Sequence, residues 1–219
     1  MRKYFVPTFA VFITFVCMGM QCNKSYDFSY TYNFVEKVNL FPAQKTYKTG
    51  DTIWIQYTNP DKKLFDKNTG QLIAADSVAL SFNIAYQTRF VKTYNPPEGY
   101  CDFISASGIN ADRTLYDNSS NLNRLALCNA DNTLNFKVAI VPKQTGIFSL
   151  YLATAAGGVA ACANRSTIFP FSSLLYKFNL TDCNKDVYLS IPVNSRGESP
   201  AGATESLIDS KQVFVFKVE

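Results

Sequence analysis

Cleavage of a glycosidic bond needs only two carboxyl groups at a suitable separation, and the chain offers Glu36, Glu98, Glu198 and Glu205 beside twelve aspartates. No neighbouring pattern sets any of them apart, so they are expected to be solvated surface charges. The chain contains no histidine. That absence removes the usual Ser-His-Asp and Cys-His arrangements, the commonest zinc ligand and the one side chain that titrates near neutrality unaided. Phosphate loops of the G-x-x-x-x-G-K-S/T and G-x-G-x-x-G kinds are also missing. Neither catalytic activity nor a cofactor is expected.

Asp66, Asn68 and Gly70, with Asp61 before and Asp76 after, form an oxygen-rich stretch. A calcium loop of the EF-hand type needs an acid or amide where Gly70 stands and a bidentate glutamate where Ser77 stands. Asx and Gly residues favour turns on their own account, and a turn is the expectation here. The same holds for Asp112, Asp117, Asn118 and Asp131. Among 13 tyrosines and 18 phenylalanines, most fall on alternating positions that read as core. Tyr94, Tyr100 and Tyr116 lie in or beside a long irregular stretch, and they are the candidates for stacking on a sugar ring.

At the amino terminus Arg2 and Lys3 precede an almost wholly apolar run from Phe5 to Val16. The run is too short to span a bilayer as a helix and reads as a secretory signal. Met18, Gly19, Met20 and Gln21 then lead to Cys22, with Gln21 standing where a small residue is usual. This segment resembles a bacterial lipobox. The resemblance implies cleavage ahead of Cys22, a diacylglyceryl group on its sulfur and a firm tether once two or three chains are attached. Residues 1–21 are then the signal peptide, 22–33 the tether and lead into the first strand, and 34–219 a single β domain.

Four further cysteines remain, Cys101, Cys128, Cys162 and Cys183. An even number in an exported chain suggests two disulfides, for which three connectivities exist. Each neighbouring pair brackets one irregular stretch, which favours Cys101–Cys128 and Cys162–Cys183. Without a C-x-x-C or a histidine, a zinc site is not expected.

Lysine and arginine total 21 against 17 acids, too even a balance for a nucleic-acid footprint. Period-2 alternation marks strands at Tyr26–Phe34, Ile53–Tyr57, Val78–Tyr86, Leu134–Ile140 and Gln212–Val218. Residues 187–193, VYLSIPV, read as another strand, and residues 172–180, SSLLYKFNL, as a short helix or a strand. The stretches 98–133 and 155–185 read as irregular, with a helical turn possible at 121–128. Roughly seven to nine strands and no long helix make an all-β, two-sheet sandwich with two disulfide-closed excursions. The segment from Leu134 through Lys143-Gln144-Thr145-Gly146 into IFSLYLAT resembles the penultimate hairpin of immunoglobulin-like sandwiches, with Phe148 at the tyrosine-corner position.

Lipobox, short polar lead, aromatic first strand and β-rich body together resemble the uncharacterised lipoproteins of the Bacteroidota cell envelope. The resemblance implies an outer-membrane tether, since Asn23 offers no aspartate retention signal. The expected function is non-enzymatic binding of a protein or glycan through the loops at 95–133 and 155–185, where sandwich folds carry recognition. An accessory glycan-binding or glycan-cleaving component is the alternative.

Overall fold

Buried and outward side chains alternate along β1 (Tyr32–Phe41): Phe34, Glu36, Val38 and Leu40 point inward, and Lys37, Asn39 and Phe41 point outward. The computed structural model describes residues 32–74, 81–91, 99–107, 109–116, 119–127, 134–154, 171–196 and 202–219. Within them the chain continues through β2 (Thr46–Tyr47), β3 (Ile53–Asn59), β4 (Lys63–Asp66), β5 (Gln71–Ala74), β6 (Ser81–Phe90) and β7 (Cys101–Ser107). It then forms β8 (Ile109–Tyr116), β9 (Ser119–Leu127), β10 (Leu134–Pro142), β11 (Gly146–Thr154) and β12 (Phe171–Phe178). Two short helices, α1 (Lys185–Leu189) and α2 (Ala203–Asp209), precede the last strand, β13 (Val213–Val218).

The strands form two sheets. The first runs β5-β4-β1-β3-β10-β7, with β12 joined parallel to β1; the second runs β2-β13-β11-β6-β9-β8. A single hydrophobic cluster draws Phe34, Ile55 and Val138 from the first sheet and Ile84, Phe148 and Phe216 from the second. The all-β, two-sheet reading therefore holds. β13 is buried at Val213, Phe214, Val215 and Phe216 alike, because the sheet covers one face and α1 and α2 pack against the strand as well.

Several expectations need correction. The described residues of the stretch at 98–133 carry β7, β8 and β9, and residues 121–127 of the possible helical turn at 121–128 lie in β9. Asn, Asp and Ser disfavour strands, but backbone ladders to β10 and β6 override that preference. Residues 171–178 of the second stretch form β12, settling the helix-or-strand choice for strand, while residues 187–193 begin in α1 and continue into a 3₁₀ turn at Val193–Ser195. There Tyr188 and Ile191 are buried three residues apart, a helical spacing. The turn at residues 143–145 does not close a hairpin. β10 pairs with β3 and β7, and β11 pairs with β6 and β13, so the turn carries the chain from one sheet to the other.

The disulfide-closed excursions are not seen. Cys183 is a buried thiol, pushed up to about 11 chiefly by burial and then by the charge of Asp182. Cys101 is fully buried at the start of β7 and no disulfide is seen there. Their expected partners, Cys162 and Cys128, lie outside the described residues.

Candidate functional site

β1 changes partners along its length. Phe34 pairs with Leu174 of β12 on one edge and with Asp66 of β4 on the other, whereas Asn39, Leu40 and Phe41 pair with Gln56, Ile55 and Trp54 of β3. Between those two contacts β3 has turned away and β4 has not yet arrived. A cleft of about 490 Å³ opens in that gap, lined by Glu36, Lys37, Tyr57, Asn59, Phe65 and Leu72 among others.

Glu36 sits at this opening and is only 8% exposed, so the expectation that it is a solvated surface charge is wrong. Its Oε2 accepts the Tyr57 hydroxyl at 2.9 Å, and its Oε1 accepts the Phe65 amide at 3.1 Å. Tyr57 in turn accepts Nδ2 of Asn59 at 3.1 Å. Asn59 is fixed by Lys63, whose carbonyl accepts Nδ2 at 2.7 Å and whose amide donates to Oδ1 at 3.2 Å. The result is an ordered relay, Asn59 to Tyr57 to Glu36.

Burial pushes the Glu36 carboxyl above its usual range, against the opposing pull of its hydrogen bonds. Burial, with the Glu36 charge second, pushes both Tyr57 and Tyr176 well above the ordinary phenol range. Such a carboxyl can donate a hydrogen bond to a ligand while neutral, or accept one when ionised. Because the folded value lies above the unfolded one, the stabilising contribution of Glu36 is complete below the unfolded value of about 4.3 and is lost as pH rises through the folded value. Urea midpoints should therefore show wild type losing stability relative to Glu36→Gln as pH rises from 4 towards 7. A pH-independent difference between the two proteins would contradict this origin.

Beside the cleft lies the outer face of the first sheet. One row across the strands is Asn39, Gln56 and Lys137; the next is Phe41, Trp54, Ala139 and Ile104. Thr58 lines the cleft, pairs with Asn135 and accepts Nε2 of Gln56 at 3.3 Å, which joins cleft and face. Asn179 donates from Nδ2 to Oδ1 of Asn39 at 3.0 Å. Phe41 is 37% exposed and Trp54 half-buried, and the Lys137 ammonium lies 4.4 Å from the Trp54 ring centroid and 5.5 Å from that of Phe41. Amides, a hydroxyl, two rings and a cation thus share one surface.

Of the tyrosines expected to stack on sugar, Tyr100 is not brought there. Tyr100 is 1% exposed, with its ring tilted against Phe148 in the core. Tyr116 ends β8, with its side chain outside the described residues, and Tyr94 and Cys22 also lie outside them. Asp66 makes the expected turn. Its carboxylate accepts the amides of Asn33, Asn68 and Thr69 and the Thr69 hydroxyl. Among the described residues no group of three or more His, Cys, Asp or Glu side chains is arranged to hold a metal.

Two sequence signals pointed to the site that was missed. Glu36 occupies an inward position between Phe34 and Val38 in a period-2 strand, which foretells a buried acid. Trp54 is the single tryptophan and alternates with the buried Ile53 and Ile55, which places it outward. No family model, curated protein or solved structure matches the chain.

Proposed function

We propose that this chain is a non-enzymatic lipoprotein of the cell envelope, anchored to the outer membrane through Cys22, which binds a glycan on the outer face of its first sheet. The observation that carries the reading is the continuity of the cleft with the row of Asn39 and Gln56 and with the rings of Phe41 and Trp54. A sugar ring has apolar C–H faces and a rim of hydroxyls. It is matched by partly exposed aromatic rings set beside amide donors and acceptors on a sheet. The face replaces the loops as the recognition surface, since part of the 95–133 stretch is sheet and Tyr100 is core.

One observation favours a glycan-cleaving role as a second reading. Glu36, held above the usual carboxyl range, shares its cleft with the exposed Asp61.

The test begins with protein purified from membranes of the native host, whose amino-terminal peptide is expected to carry a diacylglyceryl group on Cys22. That material is applied to a glycan array. Selective binding is expected, and loss of binding in a Trp54→Ala variant that retains its melting temperature. An unmodified Cys22 overturns the anchor, an empty array overturns the glycan, and release of reducing ends from a bound glycan favours the second reading.

A further inference from the structure

We infer that the glycan this face accepts is acidic, bearing carboxylate or sulfate groups on its sugars. The inference rests on the glycan-binding reading and names the ligand class for the same surface.

Four lysines define the face and its cleft: Lys37 and Lys63 line the cleft, Lys177 stands opposite Lys37 on the neighbouring strand, and Lys137 lies over Trp54 and Phe41. None of the four makes an ion pair with a described residue, a state they share with Lys48, Lys62, Lys67 and Lys211, so it is their gathering on one face, and not the missing acid alone, that sets them apart. The Lys37 and Lys177 pairing is a second, independent sign. In the parallel register of β1 and β12 these residues are directly opposite, each flanked by inward-facing neighbours, so both side chains share the outer face. Like charges placed opposite each other repel, and an anion between them removes that repulsion.

Lys137 adds preorganisation. Two rings hold its ammonium in place, so less side-chain freedom remains to be lost when an anionic group docks. The acids nearby do not cancel the field. Asp102 is bound to Lys143 at 2.8 Å, Glu36 is turned inward on Tyr57 and the Phe65 amide, and among the described residues only Asp61 stands exposed at the cleft. Charge complementarity therefore favours an anionic chain of sugars over a neutral one.

The full chain is titrated with an oligogalacturonate, a sulfated galactan oligosaccharide, a neutral glucan oligosaccharide, poly-glutamate and vesicles containing anionic lipid. At low salt at least one acidic oligosaccharide is expected to bind about tenfold more tightly than the neutral one, as a few exposed charge contacts would give. The two acidic arms distinguish carboxylate from sulfate. The preference should shrink as salt rises to roughly 0.5 M. Lys137→Met should weaken acidic binding by about three- to fivefold, Lys137→Arg should restore most of it, and Lys217→Met, on the second sheet, should leave it intact.

Equal binding of neutral and acidic sugars overturns this inference and leaves the glycan reading standing. Binding of no sugar overturns both. Poly-glutamate or vesicles bound as tightly as the acidic sugars would also overturn it, by showing an acidic protein or a lipid surface to be the partner.

Discussion

Phe216→Ala is expected to lower the stability of the protein by about 3–5 kcal/mol. The ring is fully buried in β13 and touches four others: Tyr47 edge-on at 5.3 Å between centroids, Tyr86 at 5.7 Å, Phe214 at 5.9 Å and Phe148 at 6.3 Å. Phe148 in turn meets Tyr100, just ahead of β7 of the other sheet, so the cluster reaches across the sandwich. Tyr47 cannot swing into the cavity freely, because its hydroxyl donates to the Pro42 carbonyl and accepts the Gln44 amide. In a thermal melt the substitution should lower the midpoint by on the order of 10 °C. A fall of only a degree or two would mean that this cluster does not join the sheets.

Gly146→Ala is expected to cost about 2–4 kcal/mol, the sum of overpacking and backbone strain. Gly146 opens β11 where the chain has just crossed between sheets, and its φ of +150° is one that side chains rarely adopt. A Cβ at this position would lie 2.7 Å from the Phe90 carbonyl oxygen and 2.7 Å from Cγ1 of Val91. The carbonyl belongs to the neighbouring strand and cannot withdraw without disturbing its pairing with Ile147. Urea unfolding measures the effect, and a loss below about 1 kcal/mol would show that the corner relaxes at little cost.

The alternating strands were legible because one face of each is buried. Ile53, Ile55 and Tyr57 in β3 place apolar side chains every second residue, whereas the strand expected at Tyr26–Phe34 is described only from Tyr32, as β1, and runs on to Phe41 with Glu36 at an inward position. The turn at Asp66 was legible from its Asx and Gly content. β7, β8 and β9 were not, because Ser, Asn and Asp are frequent in them, and β7 and β9 take their places from ladders to the distant β10 and β6, with β8 added beside β9. The parallel pairing of β12 with β1 is likewise a long-range fact that no local period encodes. In residues 187–193 the apolar spacing fitted both periods, and the packing of α1 against β13 decided for helix.

The site was half legible. Inward Glu36 and outward Trp54 follow from strand parity alone, but the cleft exists because β3 and β4 leave a gap along β1, which parity does not reveal. Tyr100 was misplaced for the same reason that β7 was: with the strand unseen, the residue before it looked like part of a loop.

Trp54 is the chain's single tryptophan and lies at the centre of the proposed binding face, so its emission reports on that face without a label. The most direct measurement is a fluorescence titration of the full chain with the tightest-binding glycan from the array. A saturable change in Trp54 intensity or wavelength is predicted, with the same midpoint as calorimetric binding. A glycan that binds by calorimetry yet leaves Trp54 emission unchanged would contradict the account and move recognition to another part of the protein.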